Sequence, residues 1–189
     1  MSRKTIGFRW LLVALLVPAV AAWADSYSDA LSAFKSNGQC GDFFKSAYGY
    51  ALFPTIGKGG IGVGAAHGSG KVYVGGKVKG TTTMNQVTVG LQLGGQAYSE
   101  IIFFEDKRAF DEFTGGNFEF GAQATAVAIT AGASAGTSTT GSSAGASGGQ
   151  HDATAVGSYY KGMAVFTIAK GGLMYEASIG GQKFSYKPH

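Results

Sequence analysis

From residue 56 onward, apolar side chains recur at every second position, and the residues between them are often glycine. A period of two puts successive side chains on opposite faces of an extended chain, so this stretch reads as half-buried strand and not as amphipathic helix. Ile61, Val63 and Ala65 alternate with glycines, and Val72 and Val74 form the next run. Val87, Val89, Leu91 and Leu93 then alternate with Thr88, Gly90 and Gln92. Tyr98 to Phe104 reads as a further strand, and Phe118, Phe120, Ala122 and Ala124 resume the alternation. Strands also fit 154–159, 162–169, 172–179 and 182–186. The fold class that follows is mainly β (α+β). It is a single-domain β-barrel or sandwich of roughly 9–10 antiparallel strands, since either limits exposed edges.

Composition excludes the other fibrous and unfolded classes. The chain is 45% hydrophobic and only 14% charged, the reverse of a disordered segment. Its 32 glycines come without a Gly-X-Y period and with 3 prolines, which excludes collagen.

Two short helices are expected before the strands. Tyr27, Ala30, Leu31 and Phe34 stand at i, i+3, i+4 and i+7, an amphipathic helix over 26–36 that stops near Gly38. A second helix is expected after Gly41, presenting Phe43, Phe44, Ala47 and Tyr48, with Pro54 closing the region. A surface helix is expected over 106–113.

The first 24 residues read as a signal peptide. Arg3, Lys4 and Arg9 precede the apolar run Trp10 to Val20, and Ala22-Trp23-Ala24 supplies a small-residue cleavage site before Asp25. The run is short of the roughly 20 residues that a membrane span needs. Residues 25–189 then form one domain, exported to the periplasm or beyond, with 132–150 as a flexible, uncharged, low-complexity loop. Removing Arg3, Lys4 and Arg9 from the 15 Lys+Arg leaves 12 against 11 Asp+Glu, a net charge of +1. That is too little to support nucleic-acid binding. The single cysteine, Cys40, has no intramolecular disulfide partner and reads as buried packing.

Gly57-Lys58-Gly59-Gly60-Ile61-Gly62 matches G-x-G-x-x-G, but a strand period follows it where a dinucleotide site needs a helix. Gly68-Ser69-Gly70-Lys71 lacks the leading glycine and the magnesium-binding hydroxyl of a P-loop. His67, His151 and His189 are scattered, without metal-ligand spacing. No nucleophile is linked to a base and an orienting group. The expectation is a protein without catalytic residues, metal or cofactor.

Charge distribution says more than its total. Between Asp42 and Glu100 there is no acid, while Lys45, Lys58, Lys71, Lys77 and Lys79 all lie there. Glu100 to Glu119 holds six acids. This pattern suits either an ordinary solvated surface or a cationic surface for phosphate-bearing partners.

The run from Ala47 to Gly60 (AYGYALFPTIGKGG) resembles the opening of the SYLF lipid-binding domain. So do Gly90 to Gln96 (GLQLGGQ), Phe120-Gly121-Ala122 and Tyr159-Tyr160-Lys161-Gly162, in the family's order over about 42–186. The resemblance implies non-enzymatic binding of membrane phospholipid, in which an N-terminal amphipathic segment and basic residues take part. Eukaryotic relatives bind phosphoinositides and, in yeast, actin. The export signal argues against actin here and points to other anionic lipids, such as phosphatidylglycerol or cardiolipin. Lys58 matches the lysine of the family's opening motif; Lys71, Lys77 and Lys79 join it by charge, and Leu31 and Phe34 by the apolar stripe. That stripe is expected to dock on the β body in solution. The alternative is an envelope structural or protein-interaction module using the same β surface.

Overall fold

The computed structural model describes residues 19–89, 95–122, 124, 126–129, 159–170 and 179–189. Residues 1–18 of the expected signal peptide, Leu91 and Leu93, the expected loop 132–150 and the expected strands at 154–158 and 172–178 lie outside these residues. In chain order come α1 (Ala19–Ser36), α2 (Gly38–Ser46), β1 (Gly49–Ile61), β2 (Val63–Val74), β3 (Lys77–Val89) and β4 (Gln96–Phe104). Then follow α3 (Lys107–Thr114), β5 (Phe118–Glu119), β6 (Val127–Ile129), β7 (Met163–Lys170) and β8 (Lys183–Pro188).

The strands form one 8-stranded sheet in the order β5-β8-β3-β2-β1-β4-β7-β6, curled into a half-barrel. A sandwich would need a second sheet, and the described strands make none. All neighbours are antiparallel except β6 and β7, which run parallel. The expectation of antiparallel strands throughout is corrected at that edge.

The curl has an inner and an outer core. Inside, Ala51, Phe53, Ile56, Val72, Met84, Ile102, Phe104 and Phe184 pack with Ala109 and Phe113 of α3. Outside, Ala30 and Phe34 of α1 and Cys40 and Phe43 of α2 cover Leu52, Ile101, Phe103 and Phe166. The stripe expected on α1 is the buried one, although the helix starts earlier, at Ala19. The second helix also starts earlier than expected. Asn37 Oδ1 accepts the Gln39 N–H (3.0 Å) and caps α2 at Gly38. Among the described residues no helix is long and apolar enough to cross a membrane.

Pro54 does not close a helical region. It lies within β1, which begins at Gly49 and sits between β2 and β4. Proline has no N–H for a ladder, so a central strand tolerates it only at an irregularity. Both pairings of β1 shift register between Leu52 or Phe53 and Ile56. The Ser99 hydroxyl donates to the Pro54 carbonyl (2.8 Å) and holds the bulge.

The period of two holds, and Val72 faces inward as expected, but the phase is inverted at Val63, Ala65 and Val87. Ile61 and Val63 belong to different strands, opposite each other across a hairpin that turns at Gly62 (φ +75°). On β2, Gly64, Ala66, Gly68, Gly70 and Val72 face inward, and Val63 and Ala65 face out. On β3, Thr82, Met84 and Gln86 are buried and Val87 is outside. Large side chains from β1 take the interior volume. A Cβ on Gly68 would come within 2.6 Å of Ile56 Cγ1, and one on Gly70 within 2.7 Å of the Phe53 ring. Gly70→Ala is therefore expected to lower stability by about 1–3 kcal/mol through overpacking. Gly57→Ala, where a Cβ meets nothing within 4 Å, should leave it nearly unchanged. Urea unfolding of the two variants checks the contrast.

Phe118 to Ala124 is not a single strand. Only Phe118–Glu119 pairs as β5, with β8 at one edge of the sheet, while β6 pairs with β7 at the other. The chain between them spans the mouth of the half-barrel. The Phe120 N–H donates to the Gln182 carbonyl (3.0 Å), and the Ile179 N–H to the Ala124 carbonyl (3.2 Å). Phe120, Ala124 and Ala126 pack against the inner core.

Candidate functional site

The residues expected to form one surface are distributed over three places. Phe34 is 0% exposed in the outer core, and Leu31 is half-buried beside it. They fasten α1 to the sheet and are not a free apolar edge. Lys58 is half-buried, opposite Ala66 and Gln96, on the inner face of the sheet. Lys71, Lys77 and Lys79 are carried by the paired strands β2 and β3, with Lys77 opposite Val74 at the end of the ladder. Lys71 lies on the outer face of β2, its Nζ 4.3 Å from the centre of the Tyr27 ring on α1. Lys77 and Lys79 are exposed at the start of β3, after the turn at Gly75 and Gly76.

Strand register shows what surrounds them. On the outer face, Lys71 of β2, Thr81 of β3 and Lys187 of β8 stand side by side. The next row is Ser69, Thr83 and Ser185, and the third is His67, Asn85 and Lys183. With strands about 4.8 Å apart, Lys71 and Lys187 flank Thr81 across roughly 10 Å. Within the rows, Thr83 Oγ1 and Ser185 Oγ share a hydrogen bond, and His67 Nδ1 lies 2.8 Å from Asn85 Oδ1. The acid described beside this face is Glu119 of β5, 3.4 Å from Lys183. A face built of lysines, hydroxyls and amides offers many donors to an anion and little repulsion.

The helix α1 borders this face over β1. The Tyr27 hydroxyl donates to the Ser69 carbonyl (3.4 Å), and the rings of Tyr50 and Tyr73 stack at 4.9 Å. Burial pushes the Tyr27, Tyr50 and Tyr73 hydroxyls above their ordinary range, so all three stay neutral. The acids of α3 lie on the opposite side, because Ala109 and Phe113 dock that helix on the inner core. Asp111 and Glu112 are there paired with Lys107 and Arg108. Lys71 and the acids of α3 thus lie on opposite sides of one sheet, whereas Lys58 is on the inner face and Glu119 pairs with Lys183 on the outer one.

Glu100 is a correction to the acidic stretch. It is 0% exposed inside the half-barrel, opposite Thr167 of β7. Gln182 Nε2 donates to its Oε2 (3.0 Å) and to the Tyr98 hydroxyl (3.3 Å). Burial raises the carboxyl to about 7, opposed only weakly by the Gln182 bond. This buried group ties the 179–182 turn, and through it the segment across the mouth, to β4. Cys40 is likewise fully buried, its thiol pushed up to about 12 by burial.

Sequence reasoning missed Lys183 and Lys187. They stand about a hundred residues from Lys71 along the chain, and only the pairing of β3 with β8 brings them to it. Two basic residues four apart, and so on one face of the last strand, Lys183-x-x-x-Lys187, are the available signal.

A family model described as Ysc84, Las17-binding protein actin regulator, matches residues 85–187, more than half of the chain. The match takes in the end of β3 and runs to Lys187 in β8; of the cationic face it includes Asn85, Lys183, Ser185 and Lys187, while Lys71, Lys77 and Lys79 lie before it. No curated protein matches the chain. With the SYLF motifs in order along a strand-rich domain, the chain belongs to the Ysc84, or SYLF, family.

Proposed function

We propose that this is an exported, non-enzymatic protein that binds anionic phospholipid at a membrane surface through the outer face of β2, β3 and β8. The observation that carries the reading is the row Lys71, Thr81 and Lys187, with Lys77 and Lys79 at its corner and no acid within the rows. A basic side chain near an anionic membrane contributes about 1 kcal/mol, an attraction that fades with salt. The leader supports export, where phosphatidylglycerol and cardiolipin are the expected lipids.

Co-sedimentation with vesicles of phosphatidylglycerol and phosphatidylcholine tests this. Exchanging Lys71, Lys77, Lys79 and Lys187 for Gln should weaken binding by about 10²-fold or more, at ~1 kcal/mol each. Thermal stability should change little, because exposed charges contribute little to folding. Lys58→Gln, on the inner face, is expected to leave binding unchanged. Full binding by the folded quadruple variant would overturn the assignment of this face.

The family's description as Las17-binding favours a second reading, in which the same face takes an acidic protein partner. Absence of vesicle binding at low salt, with retention of a partner that the quadruple variant loses, would decide for it.

A further inference from the structure

We propose that the valine end of this face, Val63, Ala65 and Val87 with the bare backbone of Gly57 and Gly59, enters the acyl boundary of an anionic bilayer, so that the outer face of β2 and β3 is turned to the membrane. This rests on the lipid-binding reading and adds how deep, and in which orientation, the protein sits.

The outward phase of β2 and β3 leaves Val63 62% and Val87 72% exposed. Between this end and Tyr73 opposite Val78 at the other, the same strands present Lys, Ser, Thr, Asn and His on this face. Ala65 stands directly opposite Val87 on one side and Gly59 on the other, with Val63 one step further along. A Cβ at Gly57 or Gly59 would meet nothing within 4 Å, so among the described residues the backbone at these two positions is open. The result is an uncharged apron on the same face of β2 and β3 as the cationic rows.

Charge selects the occupant. The rows beside the apron carry Lys71, Lys187, Lys183 and His67 against Glu119 at the edge. An anionic interface meets both parts at once, phosphates over the lysines and acyl carbon over the valines. A second copy fits poorly. Two-fold stacking of this face sets its lysine row on the partner's lysine row or on the partner's valines, and both leave charge without a counter-charge.

The test uses the full chain carrying Val87→Cys labelled with an environment-sensitive fluorophore. Cys40 is fully buried, so the introduced thiol takes the label. On vesicles of equal phosphatidylglycerol and phosphatidylcholine, the emission should shift to the blue and be quenched by lipids brominated on the acyl chain. The same label at Asp111→Cys on α3 should report neither change. The pair Val63→Asp with Val87→Asp should weaken vesicle binding about tenfold or more without lowering Tm, since both side chains are exposed.

If the wild type binds vesicles but the label at 87 stays unquenched and the double variant binds equally, the inference is overturned while the lipid reading stands. If the wild type binds no anionic vesicle at low salt, the lipid reading fails and this one with it. A concentration-dependent dimer abolished by the double variant would assign the apron to a second copy instead, and would also overturn it.

Discussion

Glu100→Gln is expected to remove most of the pH dependence of stability between about pH 4.5 and 7. The carboxyl is fully buried and lifted from 4.5 to about 7, with the neutral Gln182 amide as its hydrogen-bond donor. Among the described residues the other titratable group in this buried cluster is Tyr98, itself raised by burial and neutral over this range. The folded state therefore holds a proton that the unfolded chain releases near 4.5. Below that pH both states are protonated and the contribution is fully present. It declines as pH rises, and above the folded value it is lost. The displacement corresponds to about 3 kcal/mol, at ~1.4 kcal/mol per pH unit. Gln in place of Glu keeps the shape and an oxygen for Gln182 but cannot ionise. Urea midpoints at pH 5 and pH 8 should differ markedly in the wild type and little in the variant. Parallel curves for the two proteins would mean that the charge is not confined in the core.

Phe34→Asp should be the most damaging single exchange in α1. The ring is 0% exposed, and removing such an aromatic costs about 3–5 kcal/mol before any charge is introduced. A carboxylate among Phe43, Leu52 and Phe103 adds an unpaired charge, so stability should fall by at least about 4 kcal/mol. Phe34→Leu, which keeps an apolar side chain, should cost far less. Because α1 borders the cationic face through Tyr27 and Lys71, vesicle binding should weaken along with stability. Denaturant unfolding together with co-sedimentation separates the outcomes. Unchanged stability with abolished binding would mean that the helix is an interfacial anchor, not a docked element.

Much of this architecture was legible because the patterns involved are local. The stripe on α1 and the alternation from residue 56 each need only neighbouring residues to be recognised. Phase needed more. Glycine counts as a blank in a hydrophobic pattern, yet Gly68 and Gly70 are inward because Ile56 and Phe53 have already taken the space. Pro54 concealed the start of β1, and it also decided the fate of Lys58. Phe53 and Ile56 both face in, so the bulge between them reverses the parity of everything that follows. Counted without it, Lys58 falls on the outer side with Lys71; with it, Lys58 turns inward. Lys183 and Lys187 were hidden for a different reason, the length of chain between β3 and β8. The parallel strand β6 is three residues long, too short to carry a period at all.

The brevity of the two outermost strands has its own consequence. A sheet that does not close on itself offers its rim as a template, and a glycine-rich, weakly charged protein is well suited to grow into fibres from such a rim. Here one rim ends in Phe118–Glu119 and the other in Val127–Ile129, and one run of chain ties the two together. Among the described residues, a strand from another molecule would find the 2 residues of β5 or the 3 of β6, and past β5 it would meet the Lys187 and Pro188 end of β8. Growth from these rims is thus limited by short strands on both sides and, beside β5, by a lysine and a proline at the edge.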